Sequence, residues 1–258
     1  MQTRFTRRTL MKTVAVGAGA LALGPTAKVL GANDQIRVGF IGIGGRGGGL
    51  LNMFSKVPGV KVAALCDSDE SHLGNHAKKH PDAFTTKDLR EVLERKDIDA
   101  IVSAVPNHWH ALLTIWACQA GKHVYIEKPV SHTVYESRQM TKAARKYDRV
   151  VSSGFQNRSD TGLRPFFDRL HQGEWGKVNS VRVLTYRNRK GIGKLDEPAA
   201  PPKEVDYNLW LGPAADQPIM RPRFHYDWHW DYNTGDGDLG NQGPHETDLA
   251  RWALKDPM

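Results

Sequence analysis

An α/β fold with a Rossmann-type parallel sheet is predicted for this chain, and three observations carry the prediction. Short apolar runs alternate with helical patterns from residue 36 to about residue 157. The first run opens into a glycine-rich turn, Gly42-Ile43-Gly44-Gly45-Arg46-Gly47. The second run ends on an acid, Asp67. Strands alternating with helices imply parallel pairing with both faces of the sheet covered.

In chain order the expected strands are 36–42, 60–66, 98–105, 123–127 and 150–155. Between them, 86–94 reads as a helix with Thr86 as its cap and Leu89, Val92 and Leu93 on one face. The stretch 108–120 sets Leu112, Ile115, Trp116 and Gln119 at helical spacing, and 134–147 does so with Met140, Ala143, Ala144 and Tyr147. Farther on, Val181, Val183 and Thr185 alternate with Arg182, Leu184 and Tyr186, so 178–186 is expected to be a strand. A basic, proline-rich loop follows, then the turn Trp210-Leu211-Gly212-Pro213.

Composition narrows the function classes. Two cysteines exclude a disulfide-stapled miniprotein and a four-cysteine zinc site. No run of about 20 apolar residues is present, so no membrane span is expected. The net charge of +8 hints at nucleic acid, but five of those charges come from Arg4, Arg7, Arg8, Lys12 and Lys28 in residues 1–32, which hold no acid. The remaining +3 argues against a nucleic-acid partner. Twin Arg7-Arg8, a weakly apolar stretch and a small-residue end at Ala32 read as a twin-arginine export signal over residues 1–32, with a periplasmic or secreted destination.

The glycine turn has a chemistry of its own. Gly42 permits the tight turn, Gly44 lets the backbone approach a pyrophosphate, and Gly47 allows close helix–sheet packing. Ile43, Gly45 and Arg46 complete the turn, and the helix N-terminus offers its free N–H groups to phosphates. Asp67 would accept the ribose hydroxyls and repel a 2′-phosphate, which favours NAD over NADP, with NADP still open. Later strands end in Val105-Pro106-Asn107-His108-Trp109-His110, Glu127-Lys128-Pro129 and Gly154-Phe155-Gln156-Asn157-Arg158. No third ligand at matching spacing joins His108 and His110, so no metal is expected.

Together with Gly243-Pro244-His245-Glu246-Thr247-Asp248, these motifs resemble the glucose–fructose oxidoreductase / inositol dehydrogenase (Gfo/Idh/MocA) family, in family order over residues 36–254. The resemblance implies an NAD(P)-binding Rossmann domain (33–157), a C-terminal α/β domain and sugar-like substrates. It implies cofactor contacts from residues 42–47, Asp67, Pro106, Asn107, His110, Glu127, Lys128 and Gln156. Substrate contacts would come from Lys128, Arg158, Asn241 and His245, with Lys128, His245 and Asn241 at the chemistry. Asn241 stands where relatives often carry Asp; its amide suits orienting a substrate hydroxyl or the His245 ring. The same resemblance leads us to expect that 158–258 is an incomplete C-terminal domain, that this length binds NAD weakly, and that the full-length form is a homo-oligomer.

Within 158–258, Phe224, His225, Tyr226, Trp228, His229, Trp230 and Tyr232 form an aromatic cluster. It is either a carbohydrate platform or packing against the nucleotide domain. His245, Asp248, Leu249 and Trp252 share a helix face, with Leu249 and Trp252 expected in the core. Three functions follow: an exported oxidoreductase with tightly held NAD, a redox-neutral glycoside-cleaving enzyme using transient oxidation, or a non-catalytic nucleotide sensor.

Overall fold

The computed structural model describes residues 35–186 and 188–255. The export-signal reading of residues 1–32 lies outside them. Six parallel strands form one sheet: β1 (Ile36–Ile41), β2 (Val60–Cys66), β3 (Phe84–Thr86), β4 (Ala100–Ser103), β5 (His123–Ile126) and β6 (Val151–Ser153). Their order is β3-β2-β1-β4-β5-β6, which reverses direction between β1 and β4. The crevice at that reversal, outside the carboxyl ends of the strands, is where such sheets bind ligands.

Helices α1 (Gly45–Phe54), α2 (Glu70–Ala77), α3 (Leu89–Glu94), α4 (Asn107–Gln119) and α5 (Val134–Lys146) cover the sheet. One apolar layer joins Val38, Phe40, Leu65 and Val102 to Leu50 and Leu51 of α1. The other joins Ile41, Ala64, Ile101, Val124 and Ile126 to Val92, Leu113, Ala117 and Met140. Leu113 is fully buried, a burial worth about 1.5–3 kcal/mol.

Three expectations change here. β3 is a three-residue edge strand, too short to leave a period in the sequence. The cap of α3 is Asp88, whose carboxylate accepts from the Arg90 N–H at 2.9 Å, while the Thr86 hydroxyl accepts from the Asp88 N–H at 3.1 Å. On α4 the buried face runs through His110, Leu113, Thr114, Ala117 and Cys118; Leu112, Ile115 and Trp116 are only partly buried. The alternative stripe was misleading because α4 packs against both the sheet and α5.

Beyond the sheet come α6 (Leu163–His171), α7 (Tyr207–Leu211), α8 (Gly237–Asn241) and α9 (Gly243–Ala253). The expected strand at 178–186 does not form: these residues join no ladder among the described residues, and Leu184 and Tyr186 are 53% and 88% exposed. A strand without a ladder partner gains no hydrogen bonds over solvent, so alternation alone does not fold it. Leu249 and Trp252 are half-buried rather than core; Trp252 stacks on Phe167 at 4.2 Å between ring centroids. No helix among the described residues is long and apolar enough to cross a membrane.

Candidate active site

All five strand-end motifs, and the helical motif that begins at Gly243, converge on a cleft of about 590 Å³ at the carboxyl edge of the sheet. The glycine turn forms its floor. Gly42 has φ +73°, a left-handed conformation that glycine adopts without strain. A Cβ on Gly47 would lie 1.7 Å from the Gly42 carbonyl oxygen, so only glycine lets α1 start this close to β1. No acid stands in the first turn of α1, and its leading N–H groups have no intrahelical partner. That cradle fits a pyrophosphate.

Asp67 sits in the cleft wall and also holds the turn in shape. Its Oδ2 accepts from the N–H groups of Ile43 (2.8 Å) and Gly44 (3.1 Å), and its Oδ1 from the Asp69 N–H (3.0 Å). Arg46 donates from Nε to Glu127 Oε1 at 2.8 Å, tying the turn to the end of β5. Glu127 is buried, and a Cβ at Gly154 would meet its carboxylate at 2.8 Å, so β6 closes tightly on it. Pro106, Asn107 and Gln156 complete the sheet side of the wall.

The opposite wall comes from α8 and α9. Lys128 Nζ donates to the Asn241 carbonyl at 2.5 Å and faces the Asn241 side-chain oxygen at 3.3 Å. Burial pushes the Lys128 ammonium below its ordinary pKa; Glu127 pulls it back up and Arg46 adds to the fall. His245, in the first turn of α9, is buried and lines the same cleft. Among the described residues its Nδ1 has no hydrogen-bond partner. Burial first, and the Lys128 charge second, hold its pKa below the usual histidine value. Asn107 donates to Asp236 Oδ2 at 2.7 Å, and burial raises the Asp236 pKa.

Four predicted contacts do not line the cleft. Ile43 and Gly47 are buried beneath the turn and support it. His110 is 1% exposed, and its ring nitrogens face the carbonyls of Val105 (2.8 Å) and Pro129 (2.6 Å), so it braces two strand-end loops. Arg158 instead grips Asp248, with Nε–Oδ2 at 2.7 Å and Nη2–Oδ1 at 2.8 Å, and lies over Trp252. Its guanidinium is consumed in fixing α9. His108 likewise faces the carbonyls of Trp210 and Thr234.

The aromatic cluster divides between both readings. Phe224 packs on Trp210 with Arg221 over the two rings. His225, Tyr226, Trp228 and His229 line the cleft, while Tyr232 is 91% exposed. Arg189 and His72 are among the cleft residues that escaped the sequence reading. Arg189 lies over Trp230 and pairs with Asp238 at 3.2 Å; its loop gave no periodic signal. His72 packs beside Gly44; its only signal was its place one turn into the helix after Asp67.

A glycine-turn nucleotide site facing a lysine and a buried histidine defines a Rossmann-type oxidoreductase. Residues 36–155 match the profile of the "Oxidoreductase family, NAD-binding Rossmann fold", and residues 184–257 match its "C-terminal alpha/beta domain". The chain belongs to the Gfo/Idh/MocA oxidoreductase family. It is 33% identical over 160 residues to a "Glycosyl hydrolase family 109 protein 2" of Shewanella sp. (strain ANA-3), covering 51% of this chain and 35% of that relative. The crystal structure of a myo-inositol 2-dehydrogenase from Lactobacillus plantarum superposes with TM-score 0.53 at 28% identity, covering 56% of this chain and 43% of that one. GenD2 from gentamicin A biosynthesis, solved with NAD, shares the fold over 91% of this chain and 57% of its own, with TM-score 0.66 at 23% identity. The chain thus spans about a third of the length of the curated relative.

Proposed function

We propose that the protein is an NAD-dependent oxidoreductase acting on a secondary alcohol of a sugar, a cyclitol or a derivative. The observation that carries the reading is the shared cleft: Lys128 and His245 line the space that also holds the glycine turn and Asp67. A nicotinamide bound there would supply the hydride acceptor or donor. His245, held neutral by burial and by Lys128, takes the hydroxyl proton. The Lys128 ammonium stabilises the charge that builds on the substrate oxygen. Asn241 fixes that ammonium through its backbone carbonyl and leaves its amide nitrogen for a substrate hydroxyl.

Asp67 favours NAD, since its carboxylate would oppose a 2′-phosphate. We also propose export by the twin-arginine route, tight retention of the nucleotide, and a division between nucleotide and substrate domains near residue 157. The test is purification followed by mass spectrometry of the released nucleotide, then NADH formation with a panel of sugars and cyclitols. No nucleotide bound or captured would overturn the reading.

A second reading, glycoside cleavage through transient oxidation, is favoured by the relatives named as family 109 glycosyl hydrolases. Release of an aglycone from a synthetic glycoside without net NADH would select it.

A further inference from the structure

We propose that Asp69, His72 and His225 form a divalent-metal site of the zinc type in the wall of the nucleotide cleft. One ligand atom from each residue lies within 4.8 Å of the other two. His225 Nε2 is 2.9 Å from Asp69 Oδ2, and His72 Nε2 is 4.0 Å from the same oxygen. Tetrahedral zinc with bonds of about 2.0–2.2 Å needs ligands roughly 3.3–3.5 Å apart. Both distances lie within about 0.7 Å of that spacing.

The surroundings are arranged as metal sites are. A ligating histidine holds its other ring nitrogen toward a carboxylate, which fixes the ring and leaves the first nitrogen for the ion. His72 does this: its Nδ1 faces Asp67 Oδ2 at 3.5 Å, and among the described residues its Nε2 comes nearest to an acid at Asp69 Oδ2, 4.0 Å away. The Asp69 carboxylate is divided in the same way. Its Oδ1 accepts from the Ser71 N–H (2.7 Å) and hydroxyl (2.5 Å), which caps α2 and leaves Oδ2 turned to the histidines. Asp69 is 4% exposed, whereas the His72 and His225 side chains are 29% and 41% exposed and line the cleft. A fourth position therefore opens toward solvent.

Two imidazoles and one carboxylate oxygen suit zinc or cobalt rather than magnesium or calcium, which prefer all-oxygen sets. His108 and His110 offer the contrast, since both nitrogens of each ring face backbone carbonyls. The rival account is a plain Asp69–His225 hydrogen bond with His72 held by Asp67 alone; it gives no reason for the two rings to gather on one Asp69 oxygen, 4.9 Å apart. Loading the site would clip the arm carrying His225 to α2, beside Asp67.

The experiment is titration of the metal-free, nucleotide-free full chain with Co²⁺, followed by displacement with Zn²⁺. We expect one saturable site with an intense visible spectrum of the tetrahedral kind, and proton release on binding. His72→Ala and His225→Ala should each weaken Zn²⁺ binding at least about 100-fold, and Asp67→Asn by about 10-fold. Asp69→Asn keeps a good helix cap, so it should lose the ion while its metal-free melting point stays near that of wild type. A weak octahedral cobalt spectrum, or Zn²⁺ affinity unchanged in both histidine variants, would overturn the site. Because nothing is read from nucleotide or turnover, the outcome is separate from that of the oxidoreductase reading.

Discussion

The sheet half and the segment beyond residue 157 are held by different forces. Both continuous apolar layers lie within the sheet and its helices, and past residue 157 the buried hydrophobic side chains described are Phe167, Val205, Trp210 and Ile219. The later segment is tied down chiefly by polar contacts: Arg158–Asp248, Asn107–Asp236, His225–Asp69 and Lys128–Asn241. Apolar burial is non-directional and fixes the fold, whereas ion pairs and hydrogen bonds are geometric and fix the site. The cleft lies where these two regions meet.

The sharpest test of that division is at the cleft itself. Lys128→Met should cut kcat about 10²–10³-fold, and His245→Gln about 10²–10⁴-fold, with nucleotide binding and the melting point near wild type. A loss under tenfold in steady-state rates would remove the roles given to these residues. On the sheet side, Leu113→Ala should cost about 2–5 kcal/mol in urea unfolding. Arg158→Met leaves Asp248 buried without its partner, and it should cost about 1–3 kcal/mol, less than a fully buried pair because Arg158 is partly exposed. If Arg158→Met unfolded the sheet as readily as Leu113→Ala, the two regions would not be separable.

Asp67→Ala should weaken NAD binding by about 1–3 kcal/mol, measured by calorimetry; equal affinities would sink the cofactor assignment. The smallest effect is that of pH. His108, His110 and His245 have pKa values lowered chiefly by burial, so below the unfolded histidine value of about 6.5 the unfolded chain binds more protons. Their contribution is complete above that value and is lost as pH falls through the depressed pKa values. His72, raised first by its Asp67 bond, contributes in the opposite sense. Urea midpoints should therefore fall between pH 7 and pH 5, and a rise would show that His72 outweighs the three.

Turnover should likewise increase with pH through an apparent pKa below the ordinary histidine value. In Lys128→Met the His245 resonance should titrate higher than in wild type, since a neighbouring positive charge is gone.

The sequence alone determined five of the six strands, the parallel sheet, the glycine turn and the strand-end places of Asp67 and Lys128, while His245 was marked only by the family resemblance. Those properties are local: a period, a turn conformation and a strand end each depend on a few consecutive residues. Only the tertiary structure decided that Arg158 belongs to Asp248 and that His110 braces backbone carbonyls. It alone brought His225 beside Asp69 across 156 residues of chain. It also decided that 178–186 forms no strand, because a strand exists only with a partner and pairing is not a property of one segment. A side chain's polar partner is likewise chosen by packing, and packing joins residues whose distance in sequence carries no signal.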